Sequence, residues 1–114
     1  MALKIRFANG TEVPYLNAIE TEEYWTGASR RTLTFEIARE AVGLDALDNL
    51  CTEENCARIE LVSEDITNIY EGYVLKLQLG VKRVAEGEGY VERIGLKLGK
   101  RTFIEEQLHK LGIL

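Results

Sequence analysis

A chain of 114 residues is long enough to bury one hydrophobic core without disulfide or metal staples, so a single domain over residues 1–114 is expected. With 46% hydrophobic and 29% charged residues it has the balance of a soluble globular domain, and no apolar run approaches the roughly 20 residues that span a bilayer. The 19 acids outnumber the 14 bases, a formal charge of −5 that disfavours a broad nucleic-acid footprint, because such a footprint needs a concentrated basic surface.

The chain opens on Leu3, Ile5 and Phe7 alternating with Lys4, Arg6 and Ala8, the pattern of a strand with one apolar face and not of a signal peptide. Export by the general secretory route is not expected. A two-residue Asn9-Gly10 turn would set Phe7 against Glu12 and waste that face. A loop of Ala8-Asn9-Gly10 with Gly10 left-handed instead sets Ile5 against Val13 and Leu3 against Tyr15. Pro14 has no amide proton, which places the second strand at a sheet edge or at a bulge.

From Leu16 to Trp25, Ile19, Thr21 and Glu23 alternate with Glu20, Glu22 and Tyr24, which reads as a partly buried strand segment. Thr26-Gly27-Ala28-Ser29 is expected as a loop, followed by a strand over Thr32–Ile37 with Leu33, Phe35 and Ile37 facing one way. A short helix over Leu44–Cys51 comes next, with Leu44, Leu47 and Cys51 on one face, and the polar stretch Thr52–Asn55 is expected to end it. Arg58–Val62 reads as a strand, Ser63-Glu64-Asp65 as a turn, and Ile66–Tyr70 as a lead-in to a long hairpin.

That hairpin, from Tyr73 to Leu98 around Glu86-Gly87-Glu88-Gly89, is the longest pattern in the chain. A type II′ turn with Gly87 first sets Leu77 opposite Leu98, Leu79 opposite Leu96 and Val81 opposite Ile94. Its other face carries Lys82 opposite Arg93, with Lys76, Lys97, Gln78 and glycines. Two readings fit that face: solvent exposure, with charge discouraging stray edge pairing, or neutralisation by acidic groups of another subunit. A hairpin of this length is also expected to project, leaving Val84, Tyr90 and Val91 near its tip for a partner. At the C-terminus, Thr102 and Glu105 fit a capping box. The helix beyond it has Ile104, Leu108 and Leu111 on one face and ends at Gly112, and it is expected to cover part of the core.

Chemistry-bearing residues are sparse. His109 falls off the apolar stripe of the C-terminal helix and reads as solvated. Together with Cys51 and Cys56 it supplies too few ligands, at no standard spacing, for zinc. Both cysteines read as reduced thiols. Ser29 and Ser63 sit in no nucleophile elbow, the adjacent glutamates lie in turns, and the glycines form no phosphate loop. No catalytic residue, cofactor or metal is therefore expected, and the chain is read as a non-enzyme. The composition of Tyr24-Trp25-Thr26-Gly27-Ala28-Ser29-Arg30-Arg31 suits a protein interface, though the same types stack bases or hold a sugar. Glu20, Glu22 and Glu23 beside the arginines favour the protein contact.

Several stretches together resemble a family of short proteins of undefined activity encoded among the tail genes of phages and prophages of Gram-positive bacteria. They are Lys4-Ile5-Arg6-Phe7-Ala8-Asn9-Gly10-Thr11, Gly27 with Ser29-Arg30, Thr32-Leu33-Thr34-Phe35, Leu44-Asp45 with Leu47-Asp48, Thr52-Glu53-Glu54-Asn55-Cys56, Glu71-Gly72-Tyr73, and Arg101-Thr102 before Gln107-Leu108. The chain departs from the family pattern at Glu36 to Gly43, where a plainer loop is expected. The resemblance implies a structural component of a tail or tail-like particle, near the tip or baseplate. Such a component is assembled in the bacterial host cytoplasm and carried in the particle, contacting other tail or baseplate proteins and further copies of itself.

The expectation is thus a mainly β domain, an antiparallel β-barrel or β-sandwich with a long hairpin in the C-terminal half, one short mid-chain helix and a C-terminal helix. Its core is placed around Leu33, Phe35, Ile59, Leu61, Leu77, Leu79, Leu96 and Leu98. Its candidate contact residues are Tyr24, Trp25, Arg30, Arg31, Lys82, Val84, Tyr90, Val91 and Arg93. The alternative function is a small β-barrel binding module for nucleic acid or glycan.

Overall fold

Two four-stranded antiparallel sheets face each other across one core in a computed structural model that describes residues 3–113. Sheet A has the order β2 (Glu12–Pro14), β1 (Lys4–Arg6), β5 (Arg58–Val62), β6 (Thr67–Glu71). Sheet B has the order β3 (Asn17–Trp25), β4 (Ala28–Ala38), β8 (Gly89–Gly99), β7 (Leu75–Glu86). The chain alternates between sheets. It passes from B to A through α1 (Leu44–Leu50) and α2 (Glu53–Cys56), and returns to B through Gly72-Tyr73-Val74. The architecture is a sandwich and not a closed barrel, with α3 (Phe103–Lys110) after β8.

The apolar alternation sets the layers. Leu33, Phe35 and Ile37 of β4 stand opposite Leu98, Leu96 and Ile94 of β8, all buried, and Ile5, Val13, Ile59 and Leu61 line the facing side of sheet A. Burying each such side chain contributes roughly 1.5–3 kcal/mol. Tyr15 joins the layers by an edge-on contact with Phe35, ring centroids 5.9 Å apart. The N-terminal hairpin has the expected register, with Ile5 opposite Val13 and Gly10 in the left-handed region at φ 89°. Pro14 lies, as expected, on an edge strand.

The long hairpin turns at Gly87-Glu88 with Glu86 opposite Gly89, and only Gly87 has positive φ, as a type II′ turn requires. Leu79 pairs with Leu96 and Val81 with Ile94. Leu77 departs from expectation: a bulge between Lys76 and Gln78 sets Lys76, not Leu77, opposite Leu98. Leu77 is 41% exposed and lies over Gly99, where an added Cβ would meet its Cδ1 at 2.7 Å. Lys76 leaves the basic face and pairs with Asp48 of α1. The two arms are also buried unequally: Ile94, Leu96 and Leu98 are core, whereas Leu79 is half-buried and Val81 exposed, because β7 is an edge strand.

Four further expectations are corrected. Ala28 and Ser29 belong to β4, so the turn is only Thr26-Gly27, with Gly27 at φ 75°. Thr52 starts a helix instead of ending one, since its hydroxyl accepts from the Asn55 amide and caps α2. Thr67–Glu71 is a full strand paired with β5 and not a lead-in. The C-terminal capping box forms, and Gly112 closes α3 through the Gly112 amide to the His109 carbonyl and the Ile113 amide to the Leu108 carbonyl. Yet α3 buries none of its residues, so it does not cover the core. Polar contacts hold it instead: Glu105 with Arg30, and His109 and Arg101 with Glu53.

Tyr73, at the crossover from sheet A to sheet B, is buried with its hydroxyl donating to Glu20 at 2.5 Å and Lys100 over its ring at 5.3 Å. Burial, then the Glu20 carboxylate, pushes the phenol up to about 12. A phenol whose folded value is raised stabilises the fold below its unfolded value of about 10, and that contribution is lost as pH rises through the folded value. The alkaline loss of stability between those limits should therefore be shallower in Tyr73→Phe than in the parent, measured by urea denaturation at stepped pH. Identical slopes would remove Tyr73 from the account. The bulge has its own test. Gly99→Ala brings a Cβ to 2.7 Å from Leu77 Cδ1 and 3.0 Å from Arg30 Cδ. It should therefore lower stability by about 1–3 kcal/mol, as overpacking does, and by less in a Leu77→Ala background, where only the Arg30 contact remains. Equal losses in both backgrounds would show that the Arg30 contact, and not Leu77, sets the cost.

Candidate functional site

The nine candidate contact residues fall at opposite ends of sheet B, in a molecule whose principal extents are 50 × 31 × 27 Å. At one end the β3–β4 turn brings Tyr24, Trp25, Arg30 and Arg31 beside the start of α3. At the other stands the hairpin tip.

At the turn end the two arginines do different work. Arg30 is drawn inward, its side chain 13% exposed, donating to the Lys100 carbonyl at 2.8 Å and ion-paired with Glu105 at 2.9 Å. Glu105 holds its position because it also accepts from the Thr102 amide in the capping box. The Arg30 guanidinium, then that amide, holds the Glu105 carboxyl below its ordinary value. Arg31 is exposed and lies near Glu20 and Glu22, at 3.5 and 3.9 Å. Tyr24 is 75% exposed. The Trp25 backbone pairs with Ala28, and its side chain lies outside the described residues.

Sequence reasoning missed Phe103 and Ile104. The capping box makes them the first residues of α3, beside the β3–β4 turn, where Phe103 is 78% exposed and Ile104 also lies in solvent. With Tyr24, Gly27, Ala28, Ser29 and Thr102 they border an open cleft of about 500 Å³. The signal was present in the consecutive Phe103-Ile104, which one helix cannot turn to the same face.

At the tip, β4 pairs with β8 only as far as Ala38 opposite Arg93. Beyond that, Arg83 to Glu86 and Gly89 to Glu92 pair with each other alone, so the hairpin projects as a two-stranded ribbon. It carries Val84 opposite Val91 and Ala85 opposite Tyr90, with the Arg83 guanidinium 4.8 Å from the centre of the exposed Tyr90 ring.

The like-charged pair at its base, Lys82 opposite Arg93, has partners within the chain. Glu36 of β4 lies 3.2 Å from Lys82 and 3.6 Å from Arg93, and Glu86 lies 3.0 Å from Arg93. Farther along the face, Lys97 meets Glu23 at 2.5 Å. The sheet's own glutamates thus neutralise the basic face without a second subunit.

Cys51 and Cys56 are both free and buried. A hydrogen bond to Cys51, then burial, raises the Cys56 thiol. Among the described residues, no group of three or more His, Cys, Asp or Glu is placed to hold a metal ion.

Compared with known proteins, the chain matches no family model, and no curated protein or solved structure is significantly similar to it.

The two arginines are separable by mutation. Arg30→Ala should lower stability at neutral pH by about 1.5–3 kcal/mol, the range for hydrogen bonds to charged groups, whereas Arg31→Ala should change it by less than about 1 kcal/mol, as for an exposed pair. A carboxylate with a depressed folded value contributes stability above its unfolded value of about 4.3, and that contribution is lost as pH falls through the folded one. The gap between wild type and Arg30→Ala should therefore narrow in acid. A gap that stays constant down to about pH 3 would mean that Glu105 is not the partner that matters.

Proposed function

We propose that this protein is a non-enzymatic structural or assembly component of a phage tail or prophage-derived tail-like particle, acting through protein–protein contacts. The projecting end of the β7–β8 hairpin carries the reading. A two-stranded ribbon with no third strand or covering layer is marginal in water, and here it leaves Tyr90 exposed and Val84 and Val91 only half-buried. A partner that covers the ribbon removes that deficit. The Tyr24, Phe103 and Ile104 surface at the opposite end offers a second apolar contact of the kind that anchors interfaces. Two contact surfaces at the two ends of one sheet suit a subunit that must touch neighbours on both sides.

The tail setting draws on the resemblance of the strand, turn and cap stretches to the tail-gene family. In that setting the partners are other tail or baseplate proteins and further copies of this chain, first in the host cytoplasm and then in the particle. The alternative, a nucleic-acid or glycan module, draws less support, because Arg30 and Arg31 lie against Glu105, Glu20 and Glu22.

The test is co-expression with the products of neighbouring tail genes. In a shortened variant, Lys82 is joined to Arg93 through an Asn-Gly turn, which removes the ribbon while keeping every pair that β4 supports. It should retain a cooperative thermal transition and lose at least ten-fold in co-purified partner. Undiminished co-purification would count against the hairpin, and absence of any tail-protein partner for the wild type would count against the proposal.

A further inference from the structure

We infer that sheet B continues from one copy of the chain to the next, with β7 of one protomer pairing antiparallel with β3 of its neighbour. The inference rests on the assembly reading and names one of its partners, a second copy. Among the described residues, β3 and β7 are the outer strands of sheet B, and each presents one row of backbone donors and acceptors to no other strand. Natural edges are defended by prolines, bulges, short length or charge. No proline or bulge interrupts β3, or β7 beyond Gln78, which leaves charge as the defence.

That charge is opposite on the two edges. β3 carries Glu20, Glu22 and Glu23 and no base, while β7 carries Lys76, Lys82 and Arg83 against the single acid Glu86. Most of these charges also have a neighbour within the protomer, Arg31 for Glu20 and Glu22, Lys97 for Glu23, Asp48 for Lys76 and Glu36 for Lys82. The outermost rows still differ in sign, so a β3 edge meets a second β3 with like charge and a β7 with unlike charge. The pattern selects a head-to-tail contact over a symmetric one. Direction agrees with this. Neighbours in sheet B are antiparallel throughout, so its first and fourth strands run in opposite senses. A copy shifted across the sheet therefore presents β3 antiparallel to β7, which continues the same ladder.

Register can be chosen by matching faces, since a one-residue slip would turn every side chain over. Ala18, Glu20, Glu22 and Tyr24 share the core side with Phe35 and Leu33, and Leu79, Val81 and Arg83 share it with Leu96 and Ile94. One face-matched register sets Glu22 opposite Arg83, Glu23 opposite Lys82, Tyr24 opposite Val81 and Thr21 opposite Val84. It avoids the Leu77 bulge, and it places the exposed Tyr24 ring against Val81, which its own protomer leaves 39% exposed. Because the contact is head to tail it repeats, giving a ring where the rotation closes and a filament where it does not.

Purified wild-type protein should form species larger than a dimer as its concentration rises, and these should shrink toward monomer as salt is raised, measured by sedimentation velocity. Glu22→Lys with Glu23→Lys should abolish association, as should Lys82→Glu with Arg83→Glu. An equimolar mixture of the two variants should restore it, because one then has two basic edges and the other two acidic ones, and each attracts the other. For a readout that does not depend on those charges, Thr21→Cys with Val84→Cys should give intermolecular disulfide ladders under a mild disulfide oxidant. Thr21→Cys with Gln78→Cys should not. A wild type that stays monomeric at low salt, a salt-insensitive dimer, or charge variants that associate as the wild type does would each overturn the inference. If the wild type is monomeric alone yet binds a tail protein through its hairpin, this inference fails and the assembly reading stands.

Discussion

Leu33 against Leu98, Phe35 against Leu96 and Ile37 against Ile94 form the seam on which the rest of the molecule depends. Each pair belongs to two hairpins at once, β3–β4 on one side and β7–β8 on the other, so the seam converts two local ribbons into one sheet. It also decides which strands are central. Once β4 and β8 are joined, β3 and β7 must be edges, and their side chains are less buried whatever their hydrophobicity. Val81 is exposed although Ile94 opposite it is wholly buried.

Electrostatics obey the same geometry. Lys82 and Arg93 stand side by side because the hairpin register puts them there, a destabilising arrangement in isolation. The seam brings Glu36 of β4 within reach of both, and β3 beyond it supplies Glu23 to Lys97. Charges that look unbalanced along one hairpin are balanced across the four-stranded sheet. At the far end Arg30 ties β4 to α3 through Glu105, which the capping box holds in place.

Features with a local cause were legible in the sequence. The Gly87-Glu88 turn and the Ala8-Asn9-Gly10 loop arise from backbone preferences and a period of two, as do the registers that those turns impose, and the Thr102–Glu105 box arises from side-chain reach. The features that escaped depend on neighbours distant in sequence. Leu75, Leu77, Leu79 and Val81 alternate without a flaw, so nothing in the string betrays the bulge that turns Leu77 out of the core. Thr67–Glu71 is hard to recognise as a strand because an edge with little buried surface need not look apolar. The stripe Ile104, Leu108, Leu111 has the period of a core-facing helix, but the sandwich is already closed by its own two sheets. Of the candidate surfaces, the tip was readable from hairpin length, while the cleft beside Phe103 needed the docking of α3 onto the β3–β4 turn. Arg30 and Arg31, adjacent in sequence, take opposite roles because alternate residues of a strand face opposite ways.

The alternation of the chain between sheets bears on the order in which the molecule assembles from its unfolded state. The β3–β4 and β7–β8 hairpins each close over a short turn and can form quickly. The seam between them joins residues as far apart as Leu33 and Leu98, across a segment that holds both short helices and the β5–β6 half of sheet A. Long-range pairing of this kind carries the entropy of loop closure before its contacts stabilise anything. Until that closure the apolar side of β8 is open to any passing strand, so a nascent chain is most prone to mispairing on the surface that later becomes its best-buried interior.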